Sequence, residues 1–263
     1  MVSLRMQEVK KGSLMDKYGL VGYPLGHSFS RNFFNDKFEA EKIDAQYYNF
    51  EIPSIEAFPD IIAKNPELKG LNVTIPYKQK VMDYLDEVSP EARAIGAVNV
   101  VKVEDADKEN PKLIGYNSDV IGFVRSIEPL VKSYHKKALI LGTGGASKAI
   151  HYGLTQKLGI ETTFVSRFQR EGTVTYDAIT KDVLSEYNII VNCTPCGMFP
   201  HTEECPNIPY EHLTGKHLLY DLVYNPDETL FMKKGAAQGA IVKNGLEMLI
   251  LQALASWEFW HSK

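Results

Sequence analysis

The sequence is poor in cysteine and has no long apolar run. Its three cysteines are Cys193, Cys196 and Cys205, and this odd, low count argues against a disulfide framework. No second Cys/His pair is placed to complete a zinc site with the C-T-P-C segment, so we predict a loop there and no metal. Because no apolar run approaches the length of a membrane span and the first residues lack the apolar core of a signal peptide, we expect a cytoplasmic protein.

An excess of basic charge is missing as well. The net charge is −4 and no basic stripe is visible, which argues against nucleic acid as a partner. The 44% hydrophobic and 24% charged fractions are ordinary for a soluble globular protein. We expect a small-molecule substrate, and a monomer or a homodimer. A chain of 263 residues is long enough for one large domain or two smaller ones.

Strand and helix patterns alternate along the chain, which predicts βαβ units and mainly parallel sheets. The predicted strands are Tyr18–Val21, Gln46–Phe50, Leu71–Thr74, Val98–Val103 and Lys112–Tyr116, then Ala138–Leu141, Thr162–Ser166, Ile189–Cys193, Leu218–Leu222 and Ala240–Lys243. We place a domain boundary near Asp119. Residues 1–118 form an α/β substrate lobe, and residues 119–244 form a Rossmann-type nucleotide lobe. An apolar final helix in residues 245–263 returns to the first lobe and leaves a cleft between the two.

A glycine turn follows the apolar strand Ala138–Leu141. Gly142, Gly144 and Gly145 precede a helical pattern, and Ser147 stands where a third glycine is usual. Backbone N–H groups of such a turn and the positive end of the following helix face an anion, so we predict a pyrophosphate site.

The end of the next strand indicates which cofactor binds. NAD-binding units carry a carboxylate there for the ribose hydroxyl. This chain has Ser166 and Arg167, with Arg170 close behind. An arginine can pair with a 2′-phosphate and stack on adenine, so we favour NADP over NAD.

The segment N-V-T-I-P-Y-K (72–78) carries the first candidate catalytic residue. Asn72 and Thr74 alternate with apolar residues and point to one face at the end of a strand, where ligands bind in open α/β sheets. We predict that Pro76 starts a helix. Lys78 would then project from the first turn of this helix toward the interior. A lysine in that position can take part in proton transfer.

Three further polar segments surround the predicted cleft. Ser28 and Ser30 lie near a predicted helix N-terminus and suit a small carboxylate. We assign no chemistry to His27. Asn99 is an amide inside an apolar strand and needs partners. Asp119 ends G-Y-N-S-D (115–119) before a new helix, so it is either an N-cap or a carboxylate held close to Lys78.

Together these segments resemble the shikimate dehydrogenase family from about residue 18 to the end of the chain. Eight motifs occur in the family's order: G-Y-P-L-G-H-S-F-S (22–30), N-V-T-I-P-Y-K (72–78), I-G-A-V-N (95–99), G-Y-N-S-D-V-I-G (115–122), G-T-G-G-A-S (142–147), N-C-T-P-C-G-M (192–198), D-L-V-Y-N-P (221–226) and N-G-L-E-M-L-I-L-Q-A (244–253). The resemblance implies reversible NADP-dependent reduction of 3-dehydroshikimate to shikimate, with Lys78 and Asp119 as the catalytic pair.

The resemblance also implies the binding residues. Those for substrate are Ser28, Ser30, Asn72, Thr74, Asn99, Tyr224 and Gln252. Those for cofactor are Gly142, Thr143, Gly144, Gly145, Ala146, Ser166, Arg167, Arg170, Thr194, Val223, Gly245 and Met248.

The chain departs from the family pattern at three places. Ser118 stands where the family usually has threonine, Ser166 stands where it favours asparagine, and Arg170 follows Arg167 at a spacing one residue shorter. Three alternatives stay open: a quinate or dual quinate/shikimate dehydrogenase, a non-catalytic nucleotide-binding regulator, and a folate-type dehydrogenase. The regulator predicts loss of Lys78 or Asp119, and S-F-S and G-Y-N-S-D fit the folate type poorly.

Overall fold

The computed structural model describes residues 15–26, 29–105, 108 and 110–262, and contains two six-stranded sheets. The strands of the first are β1 (Asp16–Gly22), β2 (Ala45–Glu51), β3 (Leu68–Val73), β4 (Glu87–Val88), β5 (Val100–Glu104) and β6 (Lys112–Tyr116). They lie in the order β2-β1-β3-β5-β6-β4. The β2-β1-β3 part is parallel, whereas β5 pairs antiparallel with both β3 and β6.

Three α-helices accompany this sheet: α1 (Phe29–Glu41), α2 (Phe58–Ala63) and α3 (Pro90–Ile95). The bounds of α3 follow from its sequence. The Ser89 hydroxyl accepts a hydrogen bond from the Ala92 N–H at 3.2 Å, and Pro90 occupies the first turn. Gly96 ends the helix with a φ of 72°, a conformation that glycine adopts readily.

The second sheet is parallel throughout. Its strands are β7 (Lys137–Leu141), β8 (Glu161–Ser166), β9 (Thr173–Thr175), β10 (Ile189–Asn192), β11 (Leu218–Asp221) and β12 (Ile241–Lys243). The order β12-β11-β10-β7-β8-β9 is the dinucleotide-binding order, in which the order of the strands reverses between β7 and β10. A ligand crevice is expected at that point, beyond the carboxyl ends of the strands.

The helices of this second region are α4 (Asp119–Ile127), α5 (Gly145–Tyr152), α6 (Lys181–Glu186) and α7 (Leu230–Ala237). A π-helical turn, Gly153–Lys157, continues α5. Strands β7 and β10 are buried along almost their whole length, which explains why they appear in the sequence as continuous apolar runs. No helix in the described part of the chain is long and apolar enough to cross a bilayer.

The last helix, α8 (Leu246–His261), packs against the first sheet. The indole of Trp260 donates a hydrogen bond to the carbonyl of Val101 at 3.1 Å and packs against the rings of Tyr18 and Phe34. Gly70 makes room for it, because a Cβ there would lie 2.3 Å from the indole. The predicted fold class is confirmed: a mixed α/β substrate lobe, a Rossmann-type lobe and a returning C-terminal helix.

The predicted helix beginning at Pro76 is wrong. Residues 76–79 form turns, and a 3₁₀ helix, Lys80–Tyr84, follows. The Lys78 carbonyl accepts the Val98 N–H at 2.7 Å, so a bond to a distant segment replaces the next helical bond. The sequence analysis also missed the short strands β4 and β9.

Candidate active site

A cleft of about 510 Å³ lies between the two sheets. Both regions contribute to its wall: the first supplies the ends of β1 and β3 and the start of the returning helix α8, and the second supplies the segment after β11. The cleft brings together ten of the residues named from the sequence, namely Ser30, Asn72, Thr74, Lys78, Asn99, Asp119, Tyr224, Gly245, Met248 and Gln252. Ser28 and His27 lie outside the described residues.

Lys78 and Asp119 form an ion pair at the floor of this cleft. The Lys78 Nζ lies 2.6 Å from Asp119 Oδ2, and the side chains are 15% and 7% exposed. The Asn99 amide donates to the other carboxylate oxygen, Oδ1, at 2.8 Å. Both oxygens of the carboxylate are therefore engaged, and the remaining N–H groups of the ammonium are available to a ligand.

Asn99 is the centre of a wider polar network. Its oxygen accepts the Ser118 N–H at 2.7 Å, and its amide group lies 3.0 Å from the Ser118 hydroxyl and 3.3 Å from the Gln252 side-chain oxygen. The Ser118 hydroxyl also lies 3.1 Å from that of Ser256 on α8. This network links the returning helix to the ion pair of Lys78 and Asp119. Ser118, which stands where the family pattern has threonine, therefore contacts Asn99 and Ser256.

Local structure explains how two residues 41 positions apart meet. Asp119 is the first residue of α4, directly below the end of β6. Lys78 belongs to the turn after β3. In the same sheet only β5 lies between β3 and β6. The bond from the Val98 N–H to the Lys78 carbonyl fixes that turn against the segment that leads to Asn99.

The glycine turn after β7 approaches Lys78. A Cβ on Gly145 would lie 3.7 Å from Lys78 Cβ, whereas one on Gly144 would meet no atom within 4 Å. Gly142 has a φ of 105°, and its Cβ would lie 3.0 Å from a Thr194 methyl, so a side chain is unfavourable there. The open space over Gly144 and the N-terminus of α5 leave room for a pyrophosphate beside Lys78.

The third glycine of the usual fingerprint is replaced without loss of the turn. The Ser147 side chain is buried, and its hydroxyl donates to the Gly144 carbonyl at 2.6 Å. Thr143 and Ala146 complete the turn on either side of the helix start.

The residues at the end of β8 suit a phosphorylated ribose. Ser166 is buried, and Arg167 and Arg170 are exposed in the segment that follows. Neither guanidinium is paired with a carboxylate anywhere in the described ranges. No acidic side chain occupies the strand end, so the residues present fit NADP better than NAD.

A buried hydrogen-bond network supports the other predicted cofactor residues. Asn192 ends β10, and its oxygen accepts the Thr194 hydroxyl at 2.6 Å and the Thr194 N–H at 3.1 Å. Asp221 ends β11; its Oδ1 accepts from Asn192 at 2.9 Å and from the Val223 N–H at 3.0 Å, and its Oδ2 accepts from Thr229 at 2.6 Å. Sequence reasoning assigned these supports no role. The available signal was a polar residue at the end of each of two apolar strands.

Asp221 should make stability depend on pH. Burial raises the pKa of this fully buried carboxyl from 3.8 to about 6, against the opposing effect of its three hydrogen bonds. The folded protein thus holds this proton more tightly than the unfolded chain, so the stabilisation is complete below the unfolded pKa and is lost as pH rises through the folded one.

An Asp221→Asn variant removes this titration. We expect the melting temperature of wild type to fall relative to the variant between about pH 4 and about pH 7, and to run parallel above that range. Asp36→Asn, on the exposed face of α1, is the matched control for the loss of one carboxyl group. A difference in melting temperature between wild type and Asp221→Asn that does not change with pH would contradict the assignment.

The fold and the site define a two-lobed dehydrogenase of the nicotinamide-dependent class. A family model described as the shikimate dehydrogenase substrate binding domain matches residues 20–101. The NADP(+) shikimate dehydrogenase of Methanococcus maripaludis strain S2 is 37% identical, with 92% of this chain and 90% of that protein aligned. This chain belongs to the shikimate dehydrogenase family.

Two solved structures are similar to this chain in three dimensions. A shikimate 5-dehydrogenase of Thermus thermophilus, solved with NADP(H) and shikimate, matches with a TM-score of 0.81 at 28% identity, over 94% of each chain. A quinate dehydrogenase of Corynebacterium glutamicum, solved with NAD, has a TM-score of 0.81 at 27% identity, over 94% of this chain and 93% of that one. The fold alone therefore does not separate shikimate from quinate, and the side chains of the cleft must do so.

Proposed function

We propose that this protein catalyses the reversible NADP-dependent reduction of 3-dehydroshikimate to shikimate, a step of the pathway to chorismate and the aromatic amino acids. The observation that carries the proposal is the Lys78–Asp119 ion pair in the cleft, next to the glycine turn. A polar pair of this kind, placed where a cofactor and a small substrate meet, suits an alcohol–ketone reaction.

The substrate occupies the first-lobe side of the cleft. Ser30, in the first turn of α1, binds the carboxylate together with Ser28. Thr74 and Tyr224 face the ring from opposite sides of the cleft. The amides of Asn72, Asn99 and Gln252 lie at its floor and bind the ring hydroxyls.

The cofactor occupies the second-lobe side. The turn residues Gly142 to Ala146 hold its pyrophosphate, and Ser166, Arg167 and Arg170 hold the phosphorylated ribose. Thr194, Val223, Gly245 and Met248 surround the nicotinamide end. A Cβ on Gly245 would lie 2.2 Å from the Leu222 carbonyl, so this position keeps α8 close to the segment after β11.

Bound NADP supplies the hydride chemistry, and the residues of the chain control the proton and the geometry. In ketone reduction, Lys78 donates a hydrogen bond to the carbonyl oxygen and delivers its proton as negative charge develops there. Asp119 accepts from Lys78 and Asn99, and thereby holds the ammonium at the reacting oxygen. In the reverse direction the same pair takes the hydroxyl proton.

The domain arrangement and the setting belong to the same proposal. Residues 1–118 with 245–263 form the substrate lobe, and residues 119–244 form the NADP lobe. The strands of the first sheet lie within residues 16–116 and those of the second within 137–243, which supports this division. We place the enzyme in the cytoplasm as a monomer or a homodimer; light scattering during size-exclusion chromatography measures the oligomer.

Two rival functions make different use of this site. A quinate dehydrogenase has a similar fold, but Ser28, Ser30 and Thr74 match the shikimate type. A non-catalytic regulator would not need the intact pair of Lys78 and Asp119.

A four-arm assay tests the proposed function. Reduced-nicotinamide absorbance is followed with shikimate or quinate, each with NADP⁺ or NAD⁺. We expect rapid reduction with shikimate and NADP⁺ and much slower reduction in the other arms. Preference for quinate would assign the protein to the rival class, and no reaction from folded protein that binds nucleotide would favour the regulator.

A further inference from the structure

A fully buried tyrosine lies beneath the substrate side of the cleft. Tyr47, on β2, has no exposed surface, and its hydroxyl donates to the side-chain oxygen of Asn72 at 2.9 Å. Burial raises the pKa of Tyr47 well above its ordinary value, so the phenol stays neutral and keeps its single proton.

The hydrogen bonds that Asn72 makes leave only its side-chain oxygen for a ligand. Its amide nitrogen donates to the Ser256 hydroxyl at 2.9 Å and to the Asn99 carbonyl at 3.3 Å, which uses both hydrogens. Its oxygen has two lone pairs, of which Tyr47 takes one. Asn72 lines the cleft, so it presents a fixed acceptor for a hydroxyl and no donor.

We propose that Tyr47 is a positioning residue that orients the Asn72 side-chain oxygen as the acceptor for a substrate hydroxyl. Ser256 and the Asn99 carbonyl hold the nitrogen end of the same amide. The inference rests on the proposed function, because it assumes a hydroxylated carboxylate in the cleft. Without the phenol, the oxygen end of the Asn72 amide loses its hydrogen-bonded partner and is held less firmly toward the hydroxyl.

Tyr47→Phe tests this role. We expect the KM for shikimate to rise about tenfold, which corresponds to one hydrogen bond, with kcat within about twofold of wild type and the KM for NADP⁺ unchanged. Tyr48→Phe is the matched control, since that neighbouring phenol bonds Gln46 rather than a cleft residue; its constants should equal those of wild type. Ser256→Ala, measured in parallel, should also raise the KM for shikimate with kcat retained.

A second ligand separates positioning from general damage to the pocket. Cyclohexene-1-carboxylate has the carboxylate and lacks the hydroxyls, so its inhibition constant should change less than about threefold in Tyr47→Phe. An equal rise in this constant and in the KM for shikimate would overturn the proposal, as would an unchanged KM in both Tyr47→Phe and Ser256→Ala. A wild-type protein inactive on shikimate would instead refute the proposed function itself, and this inference with it.

Discussion

Replacing Lys78 with alanine should lower kcat about 10³-fold and change the KM for shikimate by less than about threefold. In the proposed mechanism Lys78 contacts the reacting oxygen, whereas the substrate carboxylate and the other hydroxyls have separate partners. The variant also leaves the nearly buried Asp119 with Asn99 as its remaining bonded partner. Steady-state kinetics with shikimate and saturating NADP⁺ measure both constants.

Lys80→Ala is the matched control for this variant. Lys80 is exposed, two positions further along the same segment, and its removal should leave kcat within about twofold of wild type. Near-normal turnover by Lys78→Ala would remove the lysine from the chemistry. A loss of substrate affinity without a loss of kcat would make it a binding residue only.

The double variant Arg167→Ala/Arg170→Ala should raise the KM for NADP⁺ about 100-fold and leave the KM for NAD⁺ within about threefold. Both guanidiniums are exposed after β8, with no carboxylate partner in the part of the chain that the structure describes. Hydrogen bonds from two such groups to a dianionic phosphate are charge-assisted, and NAD offers them nothing comparable.

Arg125→Ala controls for the loss of a surface arginine, since Arg125 is exposed on α4 away from the strand end. Its constants for both cofactors should match wild type. Equal increases in the KM for NADP⁺ and NAD⁺ in the double variant would show that the arginines shape the adenosine pocket without selecting the phosphate. Unchanged constants would place the phosphate elsewhere.

The parts of the fold that periodicity specifies were predictable from the sequence. Strand β7 is a continuous apolar run followed by a glycine turn, and a buried parallel strand gives that pattern. The return of α8 was also predictable, because an apolar helix after the last strand needs a surface to cover. The short polar segments, which occur in the order of the family's motifs, predicted residues that line the cleft.

Features set by contacts distant in sequence were not predictable. Lys78 lies in a turn and not in the predicted helix because the Val98 N–H donates a hydrogen bond to the Lys78 carbonyl. Nothing near Pro76 in the sequence predicts that bond. The same holds for the bond from Asn192 to Asp221 and for the bond from Tyr47 to Asn72. Strand β4 has two residues, too few for a periodic pattern.

A crystal structure of the protein with shikimate and NADP⁺ would test whether Lys78 and Asp119 handle the proton. We expect one hydroxyl of shikimate within about 3 Å of both the Lys78 Nζ and the Asp119 carboxylate. We also expect the shikimate carboxylate at Ser30 and the nicotinamide between the ring and Met248. A ring bound in the opposite sense, with its carboxylate on Lys78, would contradict the assignment of the pair as the proton-handling groups.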